Sequence, residues 1–440
     1  QGVLSPDAVR RHYNQGIATG AFFDRANTSS GNYAIQLTDA DAVSIANVSI
    51  TGALDGINVS GGSTDFLLEN ARIFENASSG VYIADAASAR ATIRDSVFYG
   101  DVAFADRDQN TGIYMAGADP TVLRNAAYHV RGRIGSGIYI DNVAGNAIVN
   151  DNQAYANWDV GIYVRAANFQ ISGNTVSDTR YTGLYAEDTS VAGIGQSFNN
   201  IAFNNETGFD LRGSAEHFGN EAYANTGDGF YLRDGVTLRN SISRNNATGV
   251  EMYRTARLAD SRIYDNTSSG VYISTNNDGA VLPTVLRNQV WGNEYGIQLN
   301  YANGTTRIAN NLVRDNRIAG LLFNNGQRYG GVADVVNNTV REPSADAVRL
   351  ISSSRGIRLS NNILWASGPG RYALNVANDS QSGFASDYNL LYFTDGARLA
   401  WWQAPFVTLA DWRYELGFDL NSLSTDPLFV GGGDYHLQSA

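Results

Sequence analysis

The chain has 440 residues, 43% of them hydrophobic and 17% charged, and its 31 basic and 43 acidic residues give a net charge of −12. Every basic residue is arginine and cysteine is absent, which excludes a disulfide framework, a thiol nucleophile, a cysteine zinc site and a lysine Schiff base. An acidic chain without a basic tail is a poor nucleic-acid binder, and without a run of 18 apolar residues we expect no membrane span.

The first predicted element is a short N-terminal helix. Ser5 has the residue type of an N-cap, and Pro6 suits the first turn of a helix that would run to Arg11. We expect residues 1–30 to form a cap on the domain that follows. No signal peptide precedes Gln1 and the chain stops abruptly at Ala440, so we expect a monomer or a part of a larger multidomain chain.

A short phrase recurs along the chain: glycine, an aliphatic residue, a polar or aromatic residue, and a second aliphatic residue. Between Gly112 and Gly320 its copies are spaced 20 to 26 residues apart. Apolar positions alternate with the others in each copy, which predicts a strand with one buried face. The clear copies begin at Gly80, Gly112, Gly137, Gly161, Gly183, Gly208, Gly229, Gly249, Gly270, Gly296 and Gly320.

The length of this repeat predicts a parallel β-helix. A repeat of 20 to 26 residues has room for two or three short strands, but not for a strand and a long helix in every copy. Asparagines precede many of the glycines by three or four positions, and their amides would hydrogen-bond from coil to coil if they stack at one corner. These asparagines are Asn76, Asn157, Asn205, Asn225, Asn245, Asn266, Asn293 and Asn316.

The repeats resemble those of right-handed parallel β-helix proteins of the pectate-lyase-like superfamily over residues 31–393. The resemblance implies an all-β solenoid and a bacterial-type secreted or cell-surface protein that acts on a polysaccharide. It does not select the activity, because lyases, hydrolases, epimerases and inert shafts share this fold. The chain lacks the Gly-His-Gly of polygalacturonases and the Asp-Pro-His of mannuronan C5-epimerases.

The last predicted element is a C-terminal cap over residues 394–440. Thr408 and Asp411 have the spacing of a capping box, which predicts a second short helix. This segment is rich in tryptophan, and we expect its bulky side chains to close the far end of the core. The side chains concerned are Trp401, Trp402, Phe406 and Trp412.

The register of the glycine-containing strands predicts two outward columns. Residues two and four positions after each glycine point away from the core, and adjacent coils lie about 4.8 Å apart. The first column is Tyr82, Tyr114, Tyr139, Tyr163, Tyr185, Asp210, Tyr231, Glu251, Tyr272 and Gln298. The second column is Ala84, Ala116, Asp141, Arg165, Glu187, Arg212, Arg233, Tyr253, Ser274 and Asn300.

The two columns predict a groove for a carbohydrate. Stacked tyrosines stabilise neighbouring strands and also offer flat rings to sugars. The residues expected to contact the substrate are Tyr139, Tyr163, Arg165, Tyr185, Tyr231 and Tyr272. Charges interrupt the tyrosines near the middle of the columns, and the expected catalytic residues are Glu187, Asp210, Arg212, Arg233, Glu251 and Tyr253. The alternative for this charged patch is an exposed network of salt bridges.

Pectate lyases of this fold bind calcium through acidic residues on neighbouring coils and use an arginine as the base. By position, the resemblance implies a base at Arg212 or Arg233 and a calcium site formed by Asp141, Glu187 and Asp210. In such a reaction Tyr231 or Tyr253 would take the C5 proton of the uronate or donate a proton to the leaving oxygen.

We therefore expect a polysaccharide lyase that cleaves a uronate polymer by β-elimination. A glycoside hydrolase or a C5-epimerase would use the same patch. Asp210 and Glu251, on coils about 9.6 Å apart, approach the carboxyl spacing of an inverting hydrolase, whereas Glu187 and Asp210 suit a retaining one. A third alternative is a non-catalytic glycan-binding, adhesin or shaft module.

Overall fold

In a computed structural model of the chain, the described residues are 20–100, 109–132, 134–190, 194–274, 281–300, 304–324, 331–431 and 434–438. The helix expected between Ser5 and Arg11 lies outside these residues. The chain divides into two compact units, residues 1–227 and residues 228–440, which we call unit 1 and unit 2.

Each coil of either unit has three strands in a fixed order. We call them the glycine strand, which carries the repeated phrase, the second strand and the third strand. Strands of one kind pair in parallel with those of the neighbouring coils: Tyr114 pairs with Tyr82 and Tyr139 in unit 1, and Gln298 pairs with Tyr272 and Leu322 in unit 2. The repeats therefore stack strand on strand, as a parallel β-helix requires.

In unit 1, two long strands, Ser136–Asn150 and Val160–Ser172, run through the glycine-strand and second-strand positions without a break. The other glycine strands are Ile35–Thr38, Asp55–Ser60, Ser79–Ile83, Thr111–Met115, Thr182–Asp188 and Thr207–Arg212. The other second strands are Ser44–Ala46, Leu67–Glu69, Thr92–Arg94, Thr121–Leu123, Gln196–Phe198 and Glu216–Phe218. The third strands are Ala21–Asn27, Val48–Ala53, Arg72–Phe74, Val97–Tyr99, Ala126–Tyr128, Gln153–Tyr155, Thr175–Ser177, Ile201–Phe203 and Glu221–Tyr223.

Unit 2 continues the same order of strands. Its glycine strands are Asp228–Leu232, Thr248–Met252, Ser269–Ser274, Tyr295–Asn300, Ala319–Asn324, Asp346–Ile351, Tyr372–Val376 and Arg398–Trp402. Its second strands are Thr237–Arg239, Arg257–Ala259, Val281–Leu286, Thr305–Ala309, Val332–Val336, Ile357–Ser360 and Ala385–Asp387. Its third strands are Ile242–Arg244, Arg262–Tyr264, Gln289–Trp291, Leu312–Arg314, Thr339–Glu342, Ile363–Ser367 and Leu390–Thr394.

The alternation of side chains explains both the core and the corners of the coils. Ile113 and Met115 are buried in the core, whereas Tyr114 between them lies half-buried on the outer face. The corner between the second and third strands needs a left-handed residue, such as Asn310 with φ of 59° and Asn337 with φ of 57°. Asparagine and aspartate adopt this conformation at lower cost than other side chains, which accounts for their abundance at the turns.

The asparagine ladder predicted before the glycines is present in both units. The backbone N–H and Nδ2 of Asn205 donate to Oδ1 of Asn225 at 3.0 and 3.2 Å, and Asn266 donates to Asn293 in the same way at 3.0 Å. The prediction was wrong only at Asn245, which is exposed at a left-handed corner. Its neighbour Asn246 takes the ladder position and donates to Asn266.

A second asparagine ladder, which the sequence analysis missed, follows the corner between the second and third strands. In unit 1 it comprises Asn125, Asn152, Asn174, Asn200 and Asn220. In unit 2 it comprises Asn288, Asn311, Asn338, Asn362 and Asn389. All these side chains are buried, so the ladders satisfy corner backbone groups that water cannot reach.

Glu342 takes the place of an asparagine in the first ladder of unit 2. Its carboxyl oxygens accept hydrogen bonds from the backbone N–H of Asn316 at 2.6 Å and from Nδ2 of Asn316 at 2.9 Å. The side chain is fully buried, and this burial raises the pKa of the carboxyl to about 8. Burial thus favours the neutral form of Glu342 more than the hydrogen bonds from Asn316 and the charge of Arg341 favour the carboxylate.

The C-terminal segment contains the expected short helix, Leu409–Leu416, with the Thr408 hydroxyl accepting a hydrogen bond from the Asp411 backbone at 3.1 Å. Trp412 is fully buried, and its ring centroid lies 5.9 Å from that of Trp402 and 5.2 Å from that of Phe406. Trp401 differs from the expectation: it is half-buried in the outward column, in register with Asn375. The remaining elements are the 3-10 turn Asn378–Ser380 and the strands Ala404–Phe406, Phe429–Gly431 and Asp434–Leu437.

The all-β parallel β-helix predicted from the repeats is confirmed by this topology. The parallel strands extend beyond the predicted limits of 31–393. The strand Ala21–Asn27 already pairs in parallel with Val48–Ala53, although it falls in the expected N-terminal cap of residues 1–30. The glycine strand Arg398–Trp402 falls in the expected C-terminal segment of residues 394–440.

Candidate functional site

The outward tyrosines of unit 1 form a stack along the glycine strands. From Tyr82 through Tyr114, Tyr139 and Tyr163 to Tyr185, successive residues pair in register. The ring centroids lie 5.0, 5.5, 4.4 and 4.4 Å apart, and no two successive ring planes differ by more than 26°. The predicted column is therefore a ladder of stacked rings, and contact of these rings with a sugar stays a prediction.

Asp210 follows Tyr185 in register in the same column. The Nε and Nη2 groups of Arg212 donate to the two carboxylate oxygens of Asp210 at 2.9 and 2.8 Å. The guanidinium also lies over the Tyr185 ring, with its Cζ atom 5.1 Å from the ring centroid. This bidentate pair holds Arg212 in a fixed orientation, so two expected catalytic residues are already bound to each other.

The other charged residues expected at the site in unit 1 are also paired. The Tyr185 hydroxyl donates a hydrogen bond to the Glu187 carboxylate, two residues later on the same strand. The Nε atom of Arg165 lies 2.7 Å from Oδ1 of Asp141 as an ion pair, without the alignment of a hydrogen bond. The charges grouped by the sequence analysis are thus largely compensated within unit 1.

The expected calcium site gains no support from this arrangement. Asp141 is paired with Arg165, Asp210 with Arg212, and Glu187 accepts from Tyr185. Over the part of the chain that the structure describes, no group of three or more His, Asp or Glu side chains is placed to hold a metal ion. A calcium ion would have to displace these partners, so the site stays a prediction.

Unit 2 carries a distinct set of polar side chains on its glycine strands. Glu251 lies between Tyr231 and Tyr272 in the first column. The Tyr253 hydroxyl donates a hydrogen bond of 2.6 Å to Oε1 of Glu251, and the rings of Tyr253 and Tyr231 lie 5.2 Å apart. This arrangement joins a proton donor to a proton acceptor on the outer face.

Arg233 is the cation of this group. It lies half-buried directly after the strand Asp228–Leu232, one coil before Tyr253. No described residue forms an ion pair with Arg233, in contrast to Arg165 and Arg212 in unit 1. A guanidinium that has no such ion pair can bind a carboxylate or sulfate group of a ligand.

Burial sets the protonation of the outward tyrosines. It raises the pKa of Tyr139 to about 12, and it also raises the pKa values of Tyr163 and Tyr185. The pKa of Tyr253 is raised by burial first and then by its hydrogen bond to Glu251, which stabilises the neutral phenol. These hydroxyls therefore keep their protons near neutral pH and serve as hydrogen-bond donors.

Further along the face of unit 2, neutral amides and a second arginine replace the charged group. Nδ2 of Asn300 donates to the Tyr272 hydroxyl at 2.9 Å, and the Ser269 hydroxyl donates to Gln298 at 2.7 Å. Arg349 follows in the first column, with its Nε atom buried and unbonded within the described ranges. Arg349 is not among the predicted site residues, since the predicted columns end at Gln298 and Asn300.

The expected catalytic residues thus fall into two groups. Asp210, Arg212 and Glu187 belong to unit 1, whereas Arg233, Glu251 and Tyr253 belong to unit 2. That the two groups form one patch stays a prediction, as does the Asp210–Glu251 spacing that an inverting hydrolase would need.

Comparison with known families identifies the fold. The profile described as "Right handed beta helix region" matches residues 11–105, 62–226 and 218–364, which together cover most of the chain. The chain belongs to the right-handed β-helix family. The handedness expected from the repeats is therefore confirmed for this β-helix protein. No curated protein sequence matches it.

Several solved β-helix structures are similar in fold. A mutant of the periplasmic alginate epimerase AlgG is 14% identical, with 70% of this chain and 74% of that chain covered and a TM-score of 0.42. The A-module of the mannuronan C-5 epimerase AlgE4 of Azotobacter vinelandii is 13% identical, with 95% of both chains covered and a TM-score of 0.34. The surface adhesin PfbA of Streptococcus pneumoniae is 11% identical, with 90% and 86% covered and a TM-score of 0.28. At these identities the likeness is one of fold.

Within the described ranges, the β-helix protein has no helix that combines the length and the apolar character needed to cross a bilayer.

Proposed function

We propose that the glycine-strand face of unit 2 binds a uronate polysaccharide and cleaves it by β-elimination. One observation carries the proposal: Tyr253 donates a hydrogen bond of 2.6 Å to Glu251, and Arg233, which has no ion pair among the described residues, lies on the same face. A proton donor, a proton acceptor and an uncompensated cation are the groups that this reaction requires.

Arg233 would bind the carboxylate of the uronate unit that reacts. A guanidinium binds a carboxylate through two parallel hydrogen bonds, which fixes the position of the sugar and neutralises its charge. Neutralisation makes the C5 proton more acidic, because the negative charge that develops next to the carboxylate is then stabilised. The rings of Tyr231 and Tyr272, on either side of Glu251 in the column, would contact the flanking sugars.

The Glu251–Tyr253 pair accounts for both proton transfers. Glu251 removes the C5 proton, the electrons of that C–H bond form the C4–C5 double bond, and the bond from C4 to the glycosidic oxygen breaks. Tyr253 donates its phenolic proton to the leaving oxygen. The proton on Glu251 then passes to the Tyr253 phenolate along their hydrogen bond, which restores both groups. Because its pKa is raised by burial, Tyr253 is protonated at the start and acts as the acid.

A screen of polymers tests this function. The full chain is incubated with pectate, alginate and glycosaminoglycans, with and without a chelator, and the ultraviolet absorbance of the unsaturated uronate is recorded. We expect an absorbance increase with at least one polymer. New reducing ends without absorbance would indicate a hydrolase, and solvent deuterium at C5 without chain cleavage would indicate a C5-epimerase. The chelator separately tests the calcium predicted at Asp141, Glu187 and Asp210.

A non-catalytic glycan-binding module is the second candidate, and the pairing of charges in unit 1 favours it. Arg212 is held by Asp210 and Arg165 by Asp141, so the tyrosine ladder is the main feature that unit 1 offers to a ligand. A module of this kind would bind a polymer without producing absorbance, reducing ends or isotope exchange.

The proposed substrate also implies a location. A polymer of uronates is degraded outside the cell, so we propose that the protein is secreted or held at the cell surface. Its net charge of −12 opposes a polyanion. On the glycine-strand face of unit 2, Arg233 and Arg349 form no ion pair with any described residue and would offset this charge locally.

A further inference from the structure

A cleft of about 720 Å³ lies in unit 2, outside the glycine-strand face. The coils supply one side of it through their corners between the second and third strands and through the start of the third strands. The segment Asp434–Leu437, which pairs antiparallel with Phe429–Gly431, supplies the opposite side. The polar side chains that line the cleft include Gln289, Asn310, Asn337, Thr339, Tyr435 and His436.

The coil side of the cleft presents side-chain amides that bond to no described protein group. Asn310 and Asn337 occupy the left-handed corner in consecutive coils, and both side chains are exposed. Their neighbours Asn311 and Asn338 point inward and form the buried ladder. Within the described part of the chain, the side-chain amides of Asn310, Asn337 and Gln289 have no hydrogen-bond partner. They are therefore available to a ligand.

The opposite side carries an aromatic ring that is held in place. The Tyr435 ring centroid lies 5.6 Å from Cζ of Arg314 and 5.9 Å from Cζ of Arg341, and its edge packs on Phe429. Cation–π contacts of this kind fix the ring at the cleft wall. His436 lies at the mouth, with its Nδ1 atom 2.5 Å from Oδ1 of Asp434.

The charges around the cleft select the class of ligand. Arg287 lines the cleft, but its Nε and Nη2 groups are both taken by Asp260 at 2.7 Å. Asp434 adds a negative charge at the opposite wall. Behind Tyr435, Arg314 and Arg341 both pair with Asp315. Together with Arg287, Asp260 and Asp434 these groups carry no net charge, so the cleft has no excess positive charge to attract a polyanion. Open amides opposite an aromatic ring suit the hydroxyls and the apolar face of a sugar.

We propose that this cleft is a second saccharide site, specific for an uncharged oligosaccharide and separate from the uronate site. Asn310 and Asn337 would hydrogen-bond to successive hydroxyl groups, since their backbones are one coil, or about 4.8 Å, apart. Tyr435 would pack against the sugar ring. The protein would then hold a neutral glycan at the third-strand side while the glycine-strand face contacts a charged polymer.

Titration calorimetry on the full chain tests the proposal with cellohexaose, xylohexaose, mannohexaose and maltohexaose as probes. We expect at least one of them to bind, and N310A/N337A to weaken its affinity at least tenfold, as should Tyr435→Ala. Asn361→Ala is the matched control, because Asn361 is exposed at the same left-handed corner but does not line the cleft. It should leave the affinity unchanged.

Three results would overturn the proposal. The first is that none of the four neutral probes binds. The second is that a probe still binds both N310A/N337A and Tyr435→Ala with unchanged affinity. The third is that the cleft binds hexagalacturonate more tightly than the neutral probes. Glu251→Gln changes a residue on the glycine strands of unit 2, outside the lining of the cleft, and should not alter the neutral sugar's affinity. The outcome is thus independent of the uronate lyase proposal.

Discussion

Tyr253 donates a hydrogen bond of 2.6 Å to Glu251, the carboxylate that lies two residues earlier and on the same outward face of unit 2. The bond stabilises the neutral phenol and raises the pKa of Tyr253, which keeps on the phenol the proton that a general acid must donate in a β-elimination. Neither side chain is part of the core, which beneath them consists of Val250 and Met252.

Tyr253→Phe should abolish turnover of the uronate polymer while it leaves the fold intact. Loss of a positioned general acid lowers rates by about 10²–10⁴-fold, and loss of a half-buried hydroxyl should change the free energy of unfolding by about 1 kcal/mol or less. Initial rates and urea unfolding measure the two quantities. Tyr264→Phe, on a third strand of the same unit, is the control and should keep the wild-type rate.

Arg233→Ala should weaken binding of the charged polymer and lower turnover together. The guanidinium is proposed to bind and neutralise the reacting carboxylate, so its removal affects both the bound substrate and the transition state. Rate measurements over a range of polymer concentrations separate kcat from KM. Arg262→Ala removes an exposed arginine from the third-strand side, and an equal loss there would show that only overall charge matters.

Asn338→Ala should destabilise unit 2 by about 2–4 kcal/mol, because it leaves several buried groups without partners. Nδ2 of Asn338 donates to the Ile308 carbonyl at 2.9 Å, and Oδ1 accepts from the backbone N–H and Nδ2 of Asn311, both at 2.9 Å. Asn361 lies at an exposed corner with a left-handed backbone. Asn361→Ala should lower the free energy of unfolding by only about 1 kcal/mol, because alanine adopts this backbone conformation less readily than asparagine. Equal urea midpoints for the two variants would contradict the structural role of the ladder.

Glu342→Gln should change how stability depends on pH. The pKa of Glu342 is raised by burial from 4.5 to about 8, so between these values the folded chain binds more protons than the unfolded chain. The wild type should therefore lose stability as the pH rises from about 5 to 8. The glutamine variant lacks this titration, so its free energy of unfolding relative to the wild type should rise by about 4 kcal/mol between pH 5 and pH 9. Urea unfolding at pH 5, 7 and 9 measures this, and identical pH profiles would contradict it.

The repeats made most of the fold predictable. The glycine phrase recurs every 20 to 26 residues, which indicates coils that stack on one another. The alternation of apolar with other residues within each phrase indicates which side chains point inward and which point outward. Asn245 shows the limit of this approach: a spacing of four before the glycine selected it, yet Asn246 takes the ladder position because the corner residue must be left-handed. Adjacent asparagines differ only in backbone conformation, which spacing does not determine.

The outward direction of the column residues was predictable from the sequence, but their pairings were not. The columns placed Asp210 and Arg212 on one face, but which arginine would pair with which acid depends on side-chain geometry. Arg212 and Arg233 occupy equivalent positions in the sequence, but Arg212 is paired with Asp210, whereas Arg233 forms no ion pair with any residue that the structure describes. The cleft at Asn310 and Tyr435 had no local signal, because its two sides lie far apart in sequence.

The most direct test of the central claim is the absorbance of unsaturated uronate released by the wild type and by Glu251→Gln, measured side by side on the same polymers. We expect the wild type to raise the absorbance on at least one uronate polymer. Glu251→Gln should still bind this polymer but produce no absorbance. The absence of absorbance with every polymer, or a wild-type rate in Glu251→Gln, would contradict the account.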